Sequence, residues 1–207
     1  MPPTPTVFIV DDDPAVLKSL SRLLRSARLD VGTFSSPREF LERHDPSAPG
    51  CLVLDVAMPG LNGLELQEAL SAKGSELPII FLTGHGDIPM SVQAMKRGAV
   101  DFLTKPVNDE DLLKAVYVAI EKDRLQRQTR AEATEIQQRL ATLTPREREV
   151  MEHVISGQLN KQTAADLGTV EKTIKVHRAR VMEKMKVQSV AELARLAERA
   201  GVGRSGQ

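Results

Sequence analysis

The sequence predicts an α/β doubly wound five-stranded parallel sheet, joined by a helical linker to a small all-α helix-turn-helix domain. Three observations carry this reading. In the first half, short apolar runs alternate five times with segments whose apolar residues recur three and four apart. Residues 121–139 are almost wholly polar, and beyond residue 142 strand signals give way to short helices punctuated by glycine. A chain of 207 residues is comfortable for two domains.

The five runs are residues 7–10, 31–34, 51–54, 79–82 and 101–103. They are continuously apolar rather than alternating, as strands covered on both faces are. Between them lie helical spacings such as Val16, Leu20, Leu23, Leu24 and then Leu64, Leu66, Ala69, Leu70. Asp13 before Pro14 fits a helix N-cap with proline at the first position. A helical stretch from Asn108 carries Leu112, Leu113, Ala115, Val116, Ala119 and Ile120, and the first domain is expected over residues 1–122. The linker, residues 123–141, keeps a thin apolar seam at Leu125, Ala131, Ala133 and Ile136. That seam fits either a solvated helix or one side of a partner or dimer contact.

The second domain, residues 142–207, divides into four short helices. Thr144, Pro145 and Glu147 match a capping box, and Gly157 closes that helix. A second helix over residues 161–167 ends at Gly168, and a third begins near Glu171 after a very short turn. Helix, tight turn, helix is the arrangement that places a second helix in a DNA major groove.

Hydrophobic residues make up 41% and charged residues 27%, which excludes a disordered chain. The 28 basic and 28 acidic residues cancel overall, yet residues from Thr142 onward hold 12 basic against 8 acidic, leaving +4 there and −4 before it. A basic C-terminal domain favours a polyanionic partner. The single Cys51 lies inside an apolar run and excludes an intrachain disulfide, so a cytoplasmic location is expected. No basic leader and no membrane-length apolar stretch is present, and neither export nor membrane insertion is expected.

Ligands of doubly wound sheets bind at the carboxyl ends of strands, so the residues that follow the runs are the candidates. Asp11 and Asp12 follow the first run and Asp55 the third. With those strands adjacent, three carboxylates converge and repel unless a cation joins them, and a hard divalent ion, Mg²⁺, suits oxygen donors. Thr83 follows the fourth run, with Gly84 and Gly86 leaving space around it, and Lys105 follows the fifth, before Pro106. A metal, a lysine and a hydroxyl around one carboxylate suit phosphoryl transfer, with Asp55 as nucleophile. A flavodoxin-like redox site is disfavoured, because no phosphate-cradling loop follows the first run and the acids would repel a phosphate-bearing cofactor. A scaffold that only docks partners is the third reading, disfavoured by the complete set of acidic and switch positions.

These residues resemble the receiver domain of two-component response regulators over residues 6–122, through Val10, Asp11, Asp12, then Asp55, Met58, Pro59, Gly60 and Gly63, then Thr83, and then Lys105 and Pro106. The resemblance implies a flavodoxin-like receiver phosphorylated on Asp55 by a partner histidine kinase or a small acyl phosphate. It also implies Mg²⁺ held by Asp12, Asp55 and the Ala57 backbone carbonyl, with Asp11 acting largely through water. Lys105 would pair with the phosphoryl group, its bond to Pro106 usually being cis. Thr83 and the aromatic Phe102 would move with phosphorylation and reshape the face of the fourth helix, fifth strand and fifth helix, a common dimer surface; Phe102 also reads as plain core. The chemistry is self-modification, so an enzyme with turnover is not expected.

Residues 142–199 resemble the LuxR-type helix-turn-helix domain through Leu143, Thr144, Arg146, Glu147, Glu149, Val150, Gly157, Asn160, Lys161, Ala164, Leu167, Thr173, Ile174, Lys175, Val176, His177, Lys184 and Met185. Together the two halves are similar to response regulators of the NarL/FixJ class, which implies a transcription factor that binds double-stranded promoter DNA, here as a homodimer formed on phosphorylation. The helix over residues 171–186 would be the recognition helix. Lys175, Val176 and Ala179 would meet base edges, while Lys161, Lys172, Arg178 and Arg180 are placed for phosphates. His177 reads either as a phosphate or backbone contact or as packing against the linker. Thr163, Thr169 and Val170 depart from the usual pattern, so the recognition helix lacks its usual Ser cap unless Thr169 substitutes. Activation through assembly and activation by release of a masked recognition helix both stay open.

Overall fold

The computed structural model describes residues 4–84 and 88–202. The chain forms two compact units, residues 1–127 and residues 128–207. In the first, five parallel strands run in the order β2-β1-β3-β4-β5: β1 Thr6–Val10, β2 Asp30–Phe34, β3 Gly50–Asp55, β4 Ile79–Thr83 and β5 Asp101–Thr104. The helices α1 Pro14–Ser26, α2 Pro37–Arg43, α3 Gly63–Ala72 and α4 Ile88–Lys96 connect them, and α5 Asp109–Ala141 follows. Each apolar run of the sequence lies inside a strand.

Two apolar layers sandwich the sheet. On one face Phe8, Phe40, Leu52, Leu54, Leu66 and Phe81 pack together, and on the other Ile9, Leu24, Val53, Ile80, Leu112 and Val116. Strand β3, central between β1 and β4, is buried at every position, whereas the edge strand β2 is fully buried only at Phe34. Alternate residues of β1 and β3 therefore supply opposite faces, as a pleated strand requires. Asp13 caps α1, its carboxylate accepting from the Ala15 amide at 2.8 Å, with Pro14 at the first helical position.

The helix α5 is uninterrupted for 33 residues. The compact first unit continues past Lys122 to Arg127, further than composition implied. The cause is polar. Asp123 is buried and accepts from the Gly50 amide at 2.9 Å. Arg127 grips Asp123 at 2.8 Å and donates to the carbonyls of Ser47 and Ala48. Gly50 has no alternative there, since φ is +146° and a Cβ would lie 1.8 Å from the Thr6 carbonyl oxygen. Of the apolar seam, Leu125, Ala131 and Ala133 are exposed while Ile136 is buried, with Leu140, in the core of the second unit.

That second unit holds α6 Pro145–Ile155, α7 Asn160–Asp166, α8 Glu171–Met185 and α9 Val190–Arg199. Thr144 and Glu147 form the reciprocal capping box of α6. Gly157 and Gly168 end α6 and α7 at φ of +84° and +62°, values that favour glycine. Thr163 is fully buried in this core, and its hydroxyl donates to the Leu159 carbonyl at 3.3 Å, which explains how a polar residue is tolerated at that position. Val170 stands at the N-cap of α8 without a side-chain hydrogen bond, so Thr169 does not substitute.

Candidate functional site

The register β1–β3 pairs Val10 with Leu54, which sets Asp11 beside Asp55 at the carboxyl end of the sheet. Asp55 is the last residue of β3 and Thr83 the last of β4; both are buried. Lys105 follows β5, its amide donating to the Thr83 carbonyl at 2.7 Å, and its peptide bond to Pro106 is cis. The Lys105 Nζ donates to Asp11 Oδ2 at 2.6 Å and lies 3.0 Å from Asp55 Oδ1. Asp12 is exposed, yet one carboxylate oxygen each from Asp11, Asp12 and Asp55 lie within 4.8 Å of one another. Four strand ends thus bring together Asp11, Asp12, Asp55, Thr83 and Lys105. Of the two glycines expected beside Thr83, Gly84 has open space around it, and Gly86 lies outside the described residues.

The electrostatics are unbalanced. Burial pushes the Asp55 carboxyl above the usual range; Lys105 pulls it back, and Asp11 and Asp12 oppose that pull. Burial lowers the Lys105 amine, but hydrogen bonds to Asp11 and Asp55 outweigh it, and the net shift is upward. Two of the three carboxylates, Asp11 and Asp55, share one amine, so the cluster has spare capacity for a hard cation with oxygen ligands. Phe102 is half-buried, its ring centroid 6.0 Å from that of Phe81, and Ala57 is exposed.

The backbone under this site is close-packed at Gly63. Its amide donates to the Val56 carbonyl at 3.1 Å, and a Cβ at this position would lie 2.4 Å from the Asp55 carbonyl oxygen. Sequence reading placed Gly63 in a motif without finding this contact, which only the fold creates.

On α8, Lys172, Lys175, Val176, Ala179 and Arg180 are exposed, as is Lys161 on α7. Ile174, Val181 and Met185 are buried and hold the helix down. Lys175 pairs with Glu171 one turn back at 2.9 Å. Arg178 is half-buried and donates to Asn160 Oδ1 at 3.1 Å, a link from α8 to the start of α7 that sequence reading had not separated from phosphate contact. His177 is half-buried too, and its Nδ1 is buried with no hydrogen-bond partner among the described residues. Beneath this surface Lys184 donates to Glu147 Oε2 at 2.6 Å and to the Thr142 carbonyl at 2.9 Å. The Lys184 hydrogen bond, then that from the Thr144 amide, holds the Glu147 carboxyl down at about 2.

Residues 7–117 match the family described as response regulator receiver domain, and residues 141–197 match the bacterial regulatory proteins of the luxR family. The chain belongs to the response regulators of the NarL/FixJ class. It is 48% identical over 196 residues to nodulation protein W of Bradyrhizobium diazoefficiens, covering 95% of this chain and 86% of that protein. To the transcriptional regulatory protein FixJ of Azorhizobium caulinodans it is 44% identical, covering 98% and 96% of the two chains. The solved structure of the response regulator StyR superimposes with a TM-score of 0.89 at 47% identity, covering 95% of this chain and 99% of that one. This response regulator is therefore a transcriptional regulator built from a receiver and a LuxR-type DNA-binding domain. No helix among its described residues is long and apolar enough to cross a membrane.

Proposed function

We propose that this response regulator accepts a phosphoryl group on Asp55 from a partner histidine kinase, dimerises in response and binds double-stranded promoter DNA. The observation that carries the reading is Lys105 bridging Asp11 and Asp55 among three converging carboxylates at the strand ends. An Asp55 carboxylate oxygen attacks phosphorus; the phosphorus–nitrogen bond of the phosphohistidine breaks, and its electron pair leaves with the imidazole. Lys105 neutralises charge on the transferred group, and the Thr83 hydroxyl turns to its oxygens. The donor set fits Mg²⁺, with Asp12, Asp55 and the Ala57 carbonyl as ligands and Asp11 acting through water. When bound, that ion supplies further neutralisation of phosphoryl charge.

Movement of Thr83 together with Phe102 would reshape the face of α4, β5 and α5. Val92, Met95, Tyr117 and Val118 there are large apolar side chains about half exposed, which supports that face as the dimer surface. Two linked recognition helices raise effective concentration on two half-sites. In that reading Lys175, Val176 and Ala179 meet base edges, and Lys161, Lys172 and Arg180 meet phosphates. Arg178 divides its guanidinium between Asn160 and phosphate, and His177 contributes at the protein–backbone margin.

The test pairs a small acyl phosphate and Mg²⁺ with sedimentation of wild type and Asp55→Asn. Wild type is expected to gain an acid-stable, base-labile phosphoryl group and double its mass, while the variant does neither. Phosphorylation at unchanged mass overturns the assembly step, and phosphorylation that survives Asp55→Asn overturns the acceptor assignment.

A further inference from the structure

At the opposite edge of the receiver sheet from Asp55, the end of α3, the turn after α4 and α5 line an open cavity of about 260 Å³ under the start of β4. Its walls mix apolar and polar surface, the serines Ser71 and Ser75 and the carboxylate of Glu76 among the latter. Leu70, Leu77 and Pro78 are apolar, whereas Gln67 and Gln126 are neutral amides.

Both amides carry a carbonyl oxygen that is buried and has no hydrogen-bond partner among the described residues. Gln67 is only 5% exposed, and its amide nitrogen donates weakly to the Arg97 carbonyl at 3.4 Å, which orients the oxygen away from that bond. Two buried acceptors lining one cavity from two different helices are unusual, because nearly all buried carbonyls find a donor. Two cations also line the wall: Arg97 pairs with Glu68 at 2.5 Å, and Lys122 donates to the Gly98 carbonyl at 3.2 Å. They disfavour a positively charged guest.

We propose that this cavity is a binding site for a small neutral molecule with an apolar body and N–H donors, of the carboxamide class, whose donors satisfy Gln67 and Gln126. The volume holds a fragment-sized molecule rather than a dinucleotide. Such a guest would bridge α3, the turn after α4 and α5 at the end of β4 remote from Thr83. Neither the acceptor carboxylate nor the DNA-reading helix takes part, so the inference stands apart from the proposed phosphorylation.

Amide-resolved NMR of the full-length protein tests it, with benzamide as the probe and methyl benzoate as a control of similar shape lacking N–H donors. Benzamide is expected to shift the Gly98 amide and the Gln67 side-chain amide saturably, with methyl benzoate at least roughly tenfold weaker. Gln126→Met, at a half-exposed position, is expected to weaken benzamide about fivefold while leaving acyl-phosphate labelling of Asp55 unchanged. Equal shifts with both probes, no saturable shift, or undiminished binding to Gln126→Met would each overturn the proposal. So would a high-resolution crystal structure in which ordered waters on both carbonyls persist in saturating benzamide.

Discussion

In the receiver, Lys105 lies 2.6 Å from Asp11 and 3.0 Å from Asp55, and in the DNA-binding domain Lys184 lies 2.6 Å from Glu147. The ingredients match, but the outcomes are opposite: Asp55 is pushed above the usual carboxylate range and Glu147 is held at about 2. Proximity of an amine is therefore not what decides. At Glu147 one amine meets one carboxylate, and the Thr144 amide donates as well. At Asp55 one amine is divided between two acids, the nearby Asp12 adds its repulsion, and burial is left uncompensated. The balanced pair belongs to architecture; the unbalanced cluster leaves negative charge that a further positive charge could offset.

The largest expected effect breaks the balanced pair. Glu147→Gln keeps the capping geometry but leaves Lys184 without a counter-charge, and should cost about 2–3 kcal/mol in urea unfolding. The same pair predicts acid lability in wild type. A carboxyl depressed in the folded state contributes stability above its unfolded value near 4.5 and loses it as pH falls toward about 2. Across that window the DNA-binding domain should lose on the order of 2 kcal/mol, and the pH dependence should flatten in Glu147→Gln.

Next in size is Gly63→Ala. Its methyl group meets the Asp55 carbonyl oxygen at 2.4 Å, so the backbone beneath the site must shift. A loss of about 2 kcal/mol is expected, with slower acyl-phosphate labelling. Unchanged stability would show that the receiver site is softer than the contrast requires.

A smaller gain is expected from Asp55→Asn measured with a chelator present. Removing the acid that burial and its neighbours disfavour should raise stability at neutral pH by about 1 kcal/mol, a Tm rise of roughly 4 °C. Because the folded carboxyl is raised, that advantage should shrink as pH falls toward its titration range. A loss instead would mean that Lys105 balances the cluster after all. The smallest effect concerns the uncapped helix α8: Val170→Ser, at a position 65% exposed, should add about 0.5–1 kcal/mol in thermal unfolding.

What the sequence made legible follows from local chemistry. Continuous apolar runs marked the strands, because a strand covered on both faces has no polar side to show. Acids, a threonine and a lysine at four strand ends marked the site, because parallel strands all point their carboxyl ends the same way. The Thr144 to Glu147 box was readable at three-residue spacing. What stayed hidden depends on residues distant in sequence. Asp123 and Arg127 look like ordinary members of a polar stretch until the loop before β3 is beside them. Gly63 gives no sign that Asp55 lies within reach of its missing methyl.

The bond from Asp123 to the Gly50 amide also bears on how this receiver can be recombined. A polypeptide cut at Lys122 would leave that amide without its acceptor, at the entrance to the strand that ends in Asp55, whereas one cut after Arg127 would retain both the acid and its guanidinium. Grafting this sensor onto another output module therefore calls for a splice beyond Arg127, since the last part of the receiver to be secured is a stretch of helix whose composition gives no hint of ownership.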